Sequence, residues 1–209
     1  MMPICDTREY RRIDIQNIEV RSQDDGQMIV EGYATTFNQP YTLYSAPDYT
    51  VREQVDPHAF DGADMSDVIM QYDHEGRVFA RIRNHTLTLT PDEHGLRIRA
   101  RLDGTELGRQ LYEEIKGGYT DRMSFGFTVD KEQRVETEDA ETGKIDVLRT
   151  IVAFRKIYDV SAVSLPANDQ TEISARKLSD GLISEIEQER LAKQARARKI
   201  QIIKTLLEV

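Results

Sequence analysis

Met123, Phe125, Phe127 and Val129 alternate with Ser124, Gly126 and Thr128. Alternation with period two predicts a strand with one buried face. The opposite face carries a hydroxyl at Ser124 and, two positions on, a glycine without a side chain, which leaves open space beside the hydroxyl.

The same pattern runs through most of the chain. Residues 13–20 alternate, Asp24-Asp25-Gly26 is a turn, and residues 28–37 form a second strand, so the chain opens with a hairpin. Residues 38–48, with Pro40 and Pro47, read as a loop. A short strand over 51–55 leads to Asp56-Pro57, which predicts a brief helix ending by Gly62. The strand 68–72 delivers Asp73-His74-Glu75-Gly76 at its end, and a strand over 77–84 follows. Residues 86–90 and 95–102 form another hairpin, with Leu96, Ile98, Ala100 and Leu102 inward and Arg97, Arg99 and Arg101 on a solvated face.

Asp103 caps a helix, with Glu106 at the reciprocal capping-box position, a stripe of Leu107, Leu111 and Ile115, and Gly117-Gly118 as its stop. After the Ser124 strand, the acidic stretch 131–146 reads as a long hairpin loop. A strand over 148–165 ends at Pro166, placing Arg155, Ile157, Asp159 and Ser161 on one face and Phe154, Tyr158, Val160 and Ala162 on the other. From Leu178 the period becomes helical. Leu182, Ile186, Ile200, Ile203 and Leu207 share a face that Glu189, Lys193 and Arg196 interrupt, and residues 190–204 are basic.

Hairpins dominate, so the expected fold is mainly β with flanking helices: a mostly antiparallel sheet, curled or closed as a barrel, followed by a helical tail. The expected organisation is a flexible N-terminal arm over 1–12, a main domain over 13–175 and an amphipathic helical tail over 176–209.

Composition narrows the function. The 209 residues carry 37 Asp and Glu against 28 Lys and Arg, a net charge of −9, which argues against general nucleic-acid binding. There is no apolar run of the ~20 residues needed to span a bilayer, and residues 1–12 lack a signal core. The single cysteine, Cys5, excludes an internal disulfide, fits a reducing compartment, and reads as inert.

Serine chemistry needs a base, a group to orient the base, and oxyanion donors. Of the four histidines, His58, His74, His85 and His94, the best-placed base is His74, at a strand end in a polar turn. A histidine taken alone is more often structural or exposed. Asp159 interrupts an apolar strand, where a carboxylate is costly unless paired. It either orients a base or pairs with Arg155 or Lys156. The histidines lack metal-ligand spacing, and no phosphate-cradling loop or dinucleotide fingerprint is present, so no cofactor or metal is expected.

Gln71-Tyr72-Asp73-His74, Gly95-Leu96-Arg97-Ile98, Ile115-Lys116-Gly117-Gly118, Met123-Ser124-Phe125-Gly126-Phe127 and Tyr158-Asp159-Val160-Ser161-Ala162-Val163 with Pro166-Ala167-Asn168 follow one another in this order. Together they resemble the prohead serine proteases of tailed bacteriophages with the HK97-type capsid, over about 29–168. The resemblance implies a fold similar to the herpesvirus assembly proteases, an antiparallel barrel flanked by helices. It implies an endopeptidase inside the assembling prohead, in the host cytoplasm, that cuts scaffold or capsid-protein segments and itself. It implies Ser124 as nucleophile and His74 as base. Asp159 stands where the family usually has glutamate, so the orienting acid is one methylene shorter. Gly126, whose missing side chain leaves room for substrate, and Ala167 and Asn168 would lie beside the substrate or the oxyanion. The implied partners are the major capsid protein and scaffold segments, with a homodimer open and neither membrane nor specific nucleic acid. Two competing readings are a catalytically silent assembly protein that retains the protease fold, and a metal-dependent hydrolase.

Overall fold

The computed structural model describes residues 8–13, 19–22, 26–163 and 169–207. Strands β1 (Glu9–Ile13), β2 (Glu19–Ser22), β3 (Met28–Thr36), β4 (Tyr41–Ser45), β5 (Tyr49–Val55), β6 (Ile69–Tyr72), β7 (Glu75–Arg81), β8 (Leu87–Pro91) and β9 (Gly95–Arg101) precede helix α1 (Glu106–Lys116). Two long strands, β10 (Arg122–Glu138) and β11 (Ile145–Val163), and helix α2 (Asp169–Leu207) complete the chain.

The strands form two sheets. One has seven strands in the order β1-β10-β11-β5-β4, with β6 also on β11 and β7 on β6. The other runs β2-β3-β9-β8. Pairing is antiparallel except where β11 runs parallel to β5 and to β6. The fold is thus mainly β with helices, as expected, but no closed barrel is found among the described residues. One apolar core, including Val30, Leu96, Ile98, Leu111, Phe125, Phe127, Phe154 and Val160, draws on both sheets and α1.

Several local expectations change. The arm assigned to 1–12 is a strand from Glu9 onward, paired with β10 from Glu9↔Phe127 to Ile13↔Met123. The loop assigned to 38–48 contains β4, an edge strand whose Tyr41 hydroxyl bonds the buried Glu53 carboxylate. Residues 57–62 are successive turns and not a helix: Asp56 accepts from the His58 N–H at 2.8 Å as a helix cap would, but the backbone bonds that follow are isolated three-residue closures, Ala59 to Asp56, Asp61 to His58 and Ala63 to Phe60. The cap of α1 is Thr105, whose hydroxyl accepts from Gly108 N, in place of Asp103. Leu107 on its stripe is exposed, whereas Leu111, Tyr112 and Ile115 are buried. The stretch 131–146 is mostly strand, the outer arms of the β10–β11 hairpin, with only residues 139–144 turning.

The hairpin β10–β11 is also irregular. Its register passes from Gly126↔Asp159 to Phe127↔Ile157, skipping Tyr158, and slips again beyond Thr128. Each slip is a bulge that resets which face a side chain takes. Ile157 therefore joins Phe154 and Val160 in the core instead of sharing a face with Asp159.

Helix α2 has two unlike halves. Leu182, Ile183 and Ile186 are buried against Tyr49, Val51 and Val147. Farther on, Leu191, Ile200, Ile202 and Ile203 are exposed, so the apolar face expected to continue through Ile200 and Ile203 is not covered. Arg190 pairs with Glu138 at the tip of the hairpin. Leu207 lies at the helix end, and its side chain is outside the described residues. Among the described residues, no helix is long and apolar enough to cross a membrane.

Candidate active site

Three strands and one turn bring the site together. Ser124 and Gly126 on β10 face Ser161 and Asp159 on β11, and β6 lies beyond with Gln71 and Ile69 in register. Since facing residues point to the same side of a sheet, Ser124, Asp159 and Ser161 emerge on the face opposite Phe125 and Val160.

The histidine comes from the turn between β6 and β7. Tyr72 pairs with Glu75, leaving Asp73 and His74 as a two-residue loop with φ of 48° and 61°. Positive φ at both central residues is the hairpin geometry that matches strand twist, usually taken by Asn or Gly. The Asp73 N–H donates to the Ala162 carbonyl at 3.0 Å and fastens the loop to β11. Left-handed backbone on a non-glycine residue costs of order 1 kcal/mol and persists where the surroundings hold it. Here it turns the imidazole back over the sheet.

His74 bridges the other two groups. Its Nδ1 lies 2.5 Å from Asp159 Oδ1, and its Nε2 lies 2.6 Å from Ser124 Oγ. A carboxylate accepts only, so Nδ1 carries the proton and Nε2 is free to accept from the hydroxyl. Asp159 is fully buried, and Oδ1 also accepts from the Ser161 hydroxyl at 2.9 Å. The alternative pairing of Asp159 with Arg155 or Lys156 does not occur: Lys156 pairs with Asp64 at 2.8 Å and Arg155 lies toward Asp130.

A fourth residue, charged and outside the sequence-based site, joins these three. Arg8, just before β1, forms an ion pair with Asp159 Oδ2. Its guanidinium lies over the rings of Tyr10 and Tyr158, 4.9 and 4.6 Å from their centroids. Tyr10 in turn meets the His74 ring edge-on at 4.5 Å. Burial, and then Arg8, lower the His74 pKa to about 4, so the imidazole is neutral at ordinary pH.

The Ser124 hydroxyl has a second acceptor, the Arg11 carbonyl of β1 at 2.8 Å. One proton cannot serve both acceptors at once. Ser124 is only 2% exposed, and a reacting carbonyl must come within about 3–3.5 Å of Oγ. Part of the cover, of which the Arg11 carbonyl is one piece, has to shift to admit it.

Gly126 lies at the site, but its space is filled from within. A β-carbon there would lie 2.5 Å from Asp159 Oδ2 and 2.8 Å from Arg8 Nε. Ala167 and Asn168 lie outside the described residues, as does Cys5. The other histidines are elsewhere: His58 beside Asp61, His85 after a single 3-10 turn, His94 in the β8–β9 turn against Tyr33. Among the described residues no group of three or more His, Cys, Asp or Glu is placed to hold a metal ion.

Beneath the site, β1 is anchored by a buried ionic cluster. Arg11 Nε bonds Glu53 at 2.7 Å, and Arg149 bonds Glu53, Glu9 and, at 2.7 Å, Glu132. Two cations and three carboxylates satisfy one another there, joining β1, which follows Arg8, and β10, which carries Ser124, to β5 and β11.

The family model of the caudovirus prohead serine proteases matches residues 16–183. The prohead protease of Enterobacteria phage HK97 is 30% identical over 183 residues, covering 82% of this chain and 71% of that protein. The bacteriophage T4 capsid assembly protease superposes with a TM-score of 0.40 at 11% identity, over 75% of this chain and 98% of that one.

Proposed function

Since the chain belongs to the caudovirus prohead serine proteases, a family of serine proteases that mature phage heads, we propose that Ser124, His74 and Asp159 are its catalytic groups. The observation that carries this reading is the single imidazole within 2.6 Å of both the Asp159 carboxylate and the Ser124 hydroxyl.

In the reaction, His74 Nε2 takes the Ser124 proton as Oγ attacks a peptide carbonyl. Asp159 holds the Nδ1–H tautomer and balances the imidazolium that forms. The imidazolium then protonates the leaving amine, the C–N bond breaks, and water hydrolyses the acyl-enzyme with His74 again as base. Backbone N–H groups near Ala167 and Asn168 are the proposed oxyanion donors; such a donor is worth about 10²–10³ in rate.

The substrates in this reading are scaffold or capsid-protein segments, and the chain itself, cut inside the assembling prohead in the host cell. The major capsid protein is the expected partner, with a homodimer a further state. An assemblin-type barrel belongs to the same reading, supported by two sheets that share one core. The test is co-expression of Ser124→Ala with the capsid protein. Loss of capsid-protein cleavage is expected; cleavage at the wild-type rate would overturn the assignment.

A further inference from the structure

Asp159 is a carboxyl group without solvent, and to be ionised there it needs a compensating charge close by. Two groups could supply it. If His74 did so, the imidazole would be protonated and unable to accept from Ser124. If another cation did so, the imidazole could stay neutral. The second arrangement is the one built here: Arg8 meets Oδ2, while His74 and Ser161 share Oδ1.

Three observations indicate that Arg8 is held for this task. Its guanidinium lies over two rings, Tyr10 and Tyr158. Tyr158 is the residue skipped by the register between β10 and β11, so the bulge beside Asp159 also presents that ring to Arg8. Gly126, directly across from Asp159, leaves the space that the carboxylate and guanidinium fill. Arg8 lies before the segment matched to the family, residues 16–183, and immediately precedes the strand that the buried ionic cluster anchors.

We propose that Arg8 is a positioning residue: it supplies the cation that keeps Asp159 ionised beside a neutral His74, and so makes the N-terminal strand part of the active site. The proposal rests on the serine-protease reading for its consequence, but not for its electrostatics. The other titratable or charged groups near the pair are Tyr10 on β1, Tyr158 and Lys156 on β11, and Asp73 and Glu75 on the histidine's own turn. Lys156 is engaged with Asp64, so among the described residues Arg8 is the cation that meets Asp159.

The test follows two readouts across pH in the full chain: the rate at which a fluorophosphonate labels Ser124, and the NMR titration of the His74 ring nitrogens. With Arg8→Gln, both midpoints are expected to move up by roughly one pH unit or more, the scale on which a nearby charge shifts a group. Arg8→Lys should hold them near the wild-type value. Gly126→Ala offers a second route, since its β-carbon would part Arg8 from Asp159 while leaving both in the chain. A uniform loss of labelling with both midpoints unchanged in Arg8→Gln and Gly126→Ala would overturn the proposal. A ring titration that moves as expected in a protein whose Ser124 is never labelled would support the charge pairing and count against the protease reading instead.

Discussion

Gly126 and Asp159 face each other across β10 and β11, and a β-carbon on Gly126 would come within 2.5 Å of Asp159 Oδ2. Real contacts of that kind do not approach so closely, so the carboxylate or the strand must give way. Gly126→Ala is therefore expected to lower kcat more than it raises KM, because it displaces the group that orients the base and not the substrate. Steady-state kinetics on a capsid-protein peptide would check this. A change confined to KM would return Gly126 to the role first suggested by its open strand face, room for substrate.

Asp159→Asn keeps the shape and removes the charge. The amide can present the wrong group to Nδ1, and Arg8 is left facing a neutral side chain. A fall in kcat on the order of 10³–10⁴ is expected, as for other triads whose acid is made an amide. A loss of less than about tenfold would show that the carboxylate does not orient the base.

The low pKa of His74 sets the pH dependence. Activity should need the neutral imidazole, so kcat/KM should rise through about pH 4 and be flat across 6 to 7. Stability follows the same linkage. Below about 6.5 the unfolded histidine binds a proton that the folded one refuses until about pH 4, so this contribution is present above 6.5 and is lost as pH falls through that window. Chemical unfolding of wild type and His74→Gln between pH 4 and 7 should show the difference between them change in that range. A difference independent of pH would contradict it.

Glu53 is the centre of the buried cluster. Burial opposes its charge, but Arg11 and Arg149 outweigh that and lower its pKa to about 2. Breaking such a network by removing one partner costs about 3–5 kcal/mol, so Glu53→Gln should unfold at markedly lower denaturant. Through β1 it should also loosen Arg8 and the Arg11 carbonyl at the site. A variant as stable as wild type, measured by urea unfolding, would show that β1 is held by other means.

How much of this was legible in the chain depends on where apolar side chains mark a face. The strands carrying Ser124 and Asp159 and the turn carrying His74 are readable, because the core residues Met123, Phe125, Phe127, Val160 and Ala162 alternate in the sequence with small or polar ones, although both faces are buried there. Strand β1 is not. Its inward residues Glu9 and Arg11 go into an ionic cluster, so a buried strand presents as a polar arm, and Arg8 went with it. The outer arms of β10 and β11 were hidden for the same reason: Glu132 and Arg149 bond one another where apolar residues would have signalled a strand. The bulge at Tyr158 leaves no mark in composition, and it misplaced Ile157. A hint exists in the opposite charges of Glu9 and Arg11, matched by Glu53 between Val51 and Val55 and by Arg149 between Val147 and Ile151 on the inward positions of their strands.

The central claim, that Ser124, His74 and Asp159 act as one hydrolytic unit, is most directly tested by mass spectrometry after fluorophosphonate treatment of the wild-type chain and of His74→Ala. The expected result is a single adduct on Ser124 in the wild type, with labelling of His74→Ala slowed by at least about 10². An adduct on another residue, or equal labelling of Ser124 without His74, would contradict it.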